Sequence, residues 1–141
     1  MIVYLDTSAV IKLIHIETGT DTAQRLWRSA STLCASSIVV PEVASVIRRV
    51  SGPSGPGQLQ QAWMSRRRYV SMISVDPSVI ALAEDLAGRH PLSGADALHL
   101  ASALTTNFGN LIFLTWDRRL HQAAHVEGLT VAPRDPNAGE P

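Results

Sequence analysis

Apolar positions follow two rhythms along the 141-residue chain. Residues 2–5, IVYL, are β-branched, aromatic and aliphatic without polar alternation, the pattern of a strand covered on both faces. A second such run, LIFLT at 111–115, follows Gly109 and Asn110 and precedes Asp117. TLCAS at 32–36, SMISV at 71–75 and LTVA at 129–132 are weaker strand candidates. Between them the rhythm lengthens to that of helices. Pro41 fits a first helical turn, and Val43, Val46, Ile47 and Val50 follow as one apolar stripe. Asp76 and Pro77 form a cap and first-turn pair, continued by Val79, Ile80, Ala83 and Leu86 toward Gly88. Another helix is predicted from near Ser93 to about Asn107, and others over 8–14, 21–31, 58–70 and 118–126. Strands alternating with helices imply βαβ units and an α/β fold with a largely parallel sheet.

Composition adds limits. The chain is 45% apolar and 17% charged, the balance of an ordinary globular protein, and its length fits one domain with a real core. We expect that domain to span 1–132. The tail 133–141, with three prolines and no large apolar residue, is expected to be disordered. SGPSGPG at 51–57 reads as a loop too short to join two domains. Zero formal net charge announces neither nucleic acid nor an anionic membrane, so either partner has to be argued from local features. The single cysteine, Cys34, excludes an intramolecular disulfide and a cysteine-based zinc site. With no membrane-length apolar stretch and no basic leader, the expectation is a soluble protein of the cytoplasm.

Four of the twelve acidic residues stand in apolar company. Asp6 follows IVYL, Glu42 lies within IVVPEVASVI, Asp96 within GADALHLA, and Asp117 follows LIFLTW. Carboxylates so placed cost free energy unless partnered. Each has a purely structural explanation: Asp6 and Asp117 as N-caps, Glu42 in a first turn where the helix dipole favours negative charge, and Ser93 with Asp96 at capping-box spacing. The set points elsewhere. In a parallel α/β sheet, strand carboxyl ends and helix amino ends share the edge where ligands bind. Two strands deliver Asp6 and Asp117 there, and two helix first turns deliver Glu42 and Asp96. Clustered carboxylates repel one another and call for a cation. Hard oxygen donors without Cys or His point to Mg²⁺ or Mn²⁺ rather than zinc. Such an ion orients a phosphate, activates a water and stabilises a leaving oxygen, which are the needs of phosphodiester hydrolysis.

The ordered set YLDTSA, VPEV, GADALHLA and LTWDRRL resembles the four acidic motifs of the PIN-domain nucleases, in particular the ribonuclease toxins of VapBC toxin–antitoxin pairs. The resemblance runs from Met1 to about Ala132. It implies a PIN-like three-layer α/β/α fold around a five-stranded parallel sheet. It implies that Asp6, Glu42, Asp96 and Asp117 are the catalytic, metal-binding acids, with Thr7, Ser8 and Thr115 as hydroxyls that orient them. The implied activity is metal-dependent endonucleolytic cleavage of RNA leaving a 5′-phosphate. The implied partners are the RNA substrate, a VapB-type antitoxin whose C-terminal segment enters a groove near the acids, and a second copy as a homodimer. One departure stands out: LSGADA carries no basic residue immediately before Asp96, where many relatives have Arg.

Other residues receive plainer readings. His99, three positions after Asp96, shares its helix face but is read as a hydrogen-bonded histidine at the core edge. His121 and His125 lack the intervening Glu of a zinc-protease motif. The run RRRY at 66–69, namely Arg66, Arg67, Arg68 and Tyr69, together with Arg48 and Arg49, is the candidate for RNA backbone contact, with Tyr69 for base stacking. Trp27 and Trp63 are candidates for a groove, a dimer seam or the core. A dehalogenase-like phosphatase would need an acid at position 8, which is Ser, and a late Lys, whereas Lys12 is the only lysine. A non-catalytic PIN-like binding module is the remaining alternative, and a complete acidic set argues against it.

Overall fold

A computed structural model describes residues 1–53, 55–107 and 109–137. Its elements run β1 (Ile2–Leu5), α1 (Thr7–Ile14), α2 (Thr20–Ser29), β2 (Thr32–Ser36), α3 (Val39–Val50), α4 (Gly57–Arg67), β3 (Val70–Ile73), α5 (Pro77–Arg89), α6 (Gly94–Thr106), β4 (Leu111–Leu114), α7 (Arg118–Val126) and β5 (Thr130–Ala132). All five strands pair in parallel, in the order β3-β2-β1-β4-β5. The α/β expectation is borne out, and so is the five-stranded parallel sheet.

The unalternating strands have a direct cause. Side chains of a strand alternate between faces, and here both faces are covered. Tyr4 and Phe113, paired in register, stack at 5.0 Å on the face packed by α5, α6 and α7. Val3, Leu5 and Leu114 point to the other face, where Ala9, Val10, Leu13, Val43, Ile47 and Trp63 close a second core. Trp63 is thus a core residue. So is Cys34, whose thiol burial pushes up to about 11.

The element ends depart from the sequence reading in instructive places. The helix expected over 58–70 stops at Arg67, because Val70 pairs with Leu33 and opens β3 two positions before Met72 meets Ala35. The strand expected over 71–75 therefore begins and ends earlier. In α5 the stripe faces inward at Val79, Ala83 and Leu86, while Ile80, about a quarter-turn away, is 51% exposed. Leu82 takes its place against the core. Val50 is also exposed, as the last residue of α3. Position 54 of the expected loop and 138–141 of the expected disordered tail lie outside the described residues. Among the described residues no helix is long and apolar enough to cross a membrane.

Candidate active site

The strand order creates a crevice. The helices that follow β1 pack on one face of the sheet, and α7, which follows β4, packs on the other. Since β1 and β4 are neighbours, their carboxyl ends form the topological switch point at which α/β sheets bind ligands. Asp6 is the first residue past β1, and Thr115, Trp116 and Asp117 are the first past β4.

Asp6 is only 3% exposed and caps α1, accepting the Ala9 N–H at 2.9 Å. Its Oδ1 also accepts from the Ser8 hydroxyl at 2.6 Å, and its Oδ2 accepts from the Thr115 hydroxyl. Each hydroxyl in turn accepts a backbone N–H of the β4–α7 turn, Trp116 to Ser8 at 2.9 Å and Asp117 to Thr115 at 3.0 Å. Two small side chains thereby tie the ends of β1 and β4 together around one carboxylate. Burial still raises the Asp6 carboxyl above its ordinary value, against the opposing effects of His99 and of the Ser8, Thr115 and Ala9 hydrogen bonds.

Glu42 is held from a different direction. Its Oε1 accepts from the Thr7 hydroxyl at 2.7 Å and from His99 Nε2 at 2.7 Å. The other nitrogen of His99, Nδ1, lies 2.8 Å from the Tyr4 hydroxyl, which itself accepts the Ser36 N–H at 3.0 Å. The carboxylate sets the direction at its end of the chain. Opposite the Glu42 carboxylate, which can only accept, Nε2 carries the proton, and the Tyr4 hydroxyl is placed to donate to Nδ1 while it accepts from backbone. Partial burial pushes the Glu42 carboxyl up, but the His99 and Thr7 hydrogen bonds win and hold it below its ordinary value.

The remaining acids occupy α6 and α7. Ser93 caps α6 by accepting the Asp96 N–H at 3.1 Å, and Asp117 caps α7 by accepting the Leu120 N–H at 2.9 Å. Asp96 and Asp117 line one cleft with Trp116. The Asp96 carboxyl is raised first by burial, then by repulsion from Asp117; the Ser93 hydroxyl opposes this, and Asp6 adds further repulsion. Asp117 and Asp6 are therefore near enough to oppose the ionisation of Asp96. All their donors are hard oxygens, and that combination fits a divalent cation of the Mg²⁺ or Mn²⁺ class. As the side chains stand, no three acidic, His or Cys groups among the described residues converge in ligating geometry.

The structure does not bring the basic run to this crevice. Arg66–Tyr69 precede Val70 at the amino end of β3, an outer strand, whereas the acids lie at the carboxyl ends of the central pair. Arg66 stacks over Trp27 at 5.1 Å, and Arg68 lies over Tyr69 and donates to its hydroxyl.

Behind the crevice, the turn that delivers Ser93 and Asp96 is clamped. Glu127 pairs with Arg89 and with His90, each at 2.7 Å, which holds the Glu127 carboxyl at about 2 against an ordinary 4.5. A folded value below the unfolded one stabilises the fold above pH 4.5, and that contribution is lost as pH falls toward about 2. Glu127→Gln is accordingly expected to lower the melting temperature at neutral pH and to converge with the native chain in strong acid. Melts followed by circular dichroism across pH check this.

A family model described as "PIN domain" matches residues 3–126. The chain belongs to the PIN-domain family. Its relatives include ribonucleases VapC45 and VapC49 of Mycobacterium tuberculosis, each 35% identical over 137 residues, covering 94% of this chain and 95% of theirs. The fold also matches the crystal structure of Mycobacterium tuberculosis VapC20, a "Sarcin-Ricin loop cleaving toxin", with a TM-score of 0.69, 21% identity, and coverage of 92% of this chain and 97% of that one. A DNA-bound VapBC structure from Salmonella typhimurium matches with a TM-score of 0.68 and 16% identity, covering 93% and 96%. The resemblance carried by the four acidic motifs is borne out over nearly the whole chain.

Within this PIN domain, sequence reasoning missed the chain of contacts behind Glu42. His99 is indeed a buried, hydrogen-bonded histidine, yet it bonds to one of the four candidate acids. The i, i+3 spacing from Asp96 was the available signal. Tyr4 left none, since an aromatic residue in a doubly covered strand reads as core. Ser8 and Thr115 surround Asp6 as a pair, whereas Thr7 serves Glu42.

Proposed function

We propose that this PIN-domain protein is a Mg²⁺- or Mn²⁺-dependent endoribonuclease, the toxin of a VapBC-type pair, acting in the cytoplasm and restrained by a VapB-type antitoxin. The observation that carries the reading is the gathering of Asp6, Asp96 and Asp117 at the sheet's switch point, with Asp96 and Asp117 in one cleft, in a chain whose relatives are named ribonucleases. Asp6, Asp96 and Asp117 would hold the ion, with Glu42 at its border. When bound, such an ion supplies Lewis acidity toward a phosphodiester and lowers the pKa of a water.

The protein's own groups then have distinct tasks. Ser8 and Thr115 fix both Asp6 oxygens, so that the carboxylate meets its ligand without reorganising. Glu42 makes its two side-chain hydrogen bonds through Oε1, leaving Oε2 with none among the described residues. Its lowered pKa keeps it a carboxylate, able to align an attacking water or take its proton. A homodimer, as the resemblance implies, is compatible with this arrangement.

The test is incubation of the purified chain with total cellular RNA in Mg²⁺, in Mn²⁺ and in EDTA, with mapping of fragment ends. Discrete fragments bearing 5′-phosphates, formed only with metal, are expected. A folded chain, free of antitoxin, that cuts nothing with either metal would overturn the reading.

A further inference from the structure

An RNA strand is a polyanion, and the crevice just described is rich in carboxylates, so a strand lying across it needs cations alongside. Arg66–Tyr69 lie at the other end of the sheet, before β3. Arg118 and Arg119 can supply these cations. They line the cleft of about 520 Å³ that contains Asp96 and Asp117. Together with Pro91 they also line a second cleft, of about 690 Å³, bounded by His121 and Gln122. The shared walls set the two clefts side by side, from the carboxylates along α7, with Arg118 and Arg119 between them.

Both arginines are exposed, and neither forms an ion pair or donates a hydrogen bond among the described residues. They occupy the first two positions of α7, directly after the Asp117 cap. There the helix dipole favours negative charge and opposes positive. Helix stability thus gives no reason for two cations at this place. A phosphate backbone does, because the planar guanidinium fork matches phosphate oxygens bidentately.

We propose that Arg118 and Arg119 grip backbone phosphates of the single-stranded RNA flanking the scissile bond, in the groove that runs from Asp96 and Asp117 along α7. The proposal rests on the ribonuclease reading, but it is tested without turnover. Fluorescein-labelled oligouridine RNA is titrated with the full chain in EDTA across a range of KCl concentrations. Replacing Arg118→Gln and Arg119→Gln together is expected to weaken binding about tenfold. It is also expected to flatten the slope of log affinity against log salt by about 0.7 for each phosphate no longer neutralised. Both positions are exposed on a helix surface, and each single variant gives part of the change if the pair impairs folding. With a cleaved RNA, KM rises and kcat is retained.

Failure of oligouridine to bind the native chain, or an unchanged slope in the variant, overturns the proposal. So does a flattened slope in Arg67→Gln/Arg68→Gln with none in the α7 pair. An unchanged RNA slope accompanied by lost binding of poly-glutamate assigns the groove to an acidic protein partner and likewise overturns it. A chain that binds RNA through the pair but cuts nothing keeps the groove and loses the ribonuclease reading; one that cuts RNA with coincident slopes does the reverse.

Discussion

Asp6→Asn is expected to lower RNA cleavage by about three orders of magnitude or more while leaving the fold intact. Loss of one preorganised electrostatic group in an active site commonly costs about 10²–10³ in turnover. Asp6 is more central than that, because its carboxylate is the point at which β1, β4, Ser8 and Thr115 meet. The amide is nearly isosteric and keeps an oxygen to accept the Ala9 N–H, so the cap of α1 survives. Stability without metal should respond to pH. Burial raises the Asp6 carboxyl, so the folded state binds a proton more tightly than the unfolded one. The metal-free native chain accordingly loses stability as pH rises from the ordinary carboxylate value of 3.8 through the raised one, and the penalty persists at neutral pH. Asn carries no such charge penalty, although its amide nitrogen cannot accept the Thr115 proton as Oδ2 does. A pH series of metal-free melts should show the native chain gaining on Asp6→Asn as pH falls from 7 into acid. A variant that still cleaves at the native rate contradicts the assignment.

Tyr4→Phe carries the second large effect, on both stability and rate. Removing one hydroxyl orphans two buried groups, the Ser36 N–H and His99 Nδ1. Each buried polar group left unpaired costs about 1–3 kcal/mol. Phe fills nearly the same volume against Phe113, so the loss reads hydrogen bonding rather than packing. Without its partner on Nδ1, His99 is free to change tautomer and withdraw its proton from Glu42. Supports of this kind are typically worth about 10–100-fold in metal affinity or activity. A double-mutant cycle of Tyr4→Phe with Glu42→Gln separates the two effects. Coupled losses in kcat are expected. If the two substitutions multiply independently, Tyr4 is a core residue with no part in orienting Glu42.

Much of this was readable from the chain alone. IVYL and LIFL declare doubly covered strands because neither face of β1 or β4 meets water, and their next residues had to lie at the sheet's carboxyl edge. Asp6 and Asp117 follow from that placement, and Glu42 and Asp96 from the first turns of α3 and α6. The start of β3 was hidden, because a single tertiary fact, the pairing of Val70 with Leu33, outweighs the helical continuity of the residues before it. The same fact governs the basic run. Charge density is visible in a sequence, but the end of the sheet that receives it is not, and β3 sends Arg66–Tyr69 to the pole opposite the acids. Conversely, Arg118 and Arg119 sat in plain view inside LTWDRRL. Only the clefts that share them show that they face the groove beside Asp96. Tyr4 reached Glu42 through an imidazole 95 positions away, a contact no local pattern encodes.

On the proposed reading, Asp6 past β1, Asp96 on α6 and the Asp117 cap of α7 build one divalent-cation site. Titrating Mn²⁺ into the native chain and into Asp96→Asn, with free Mn²⁺ counted by electron paramagnetic resonance, tests it most directly. Saturable binding by the native chain, lost or severely weakened when the Asp96 carboxylate is neutralised, is the predicted result. Equal binding by the two proteins would contradict a site shared by these acids.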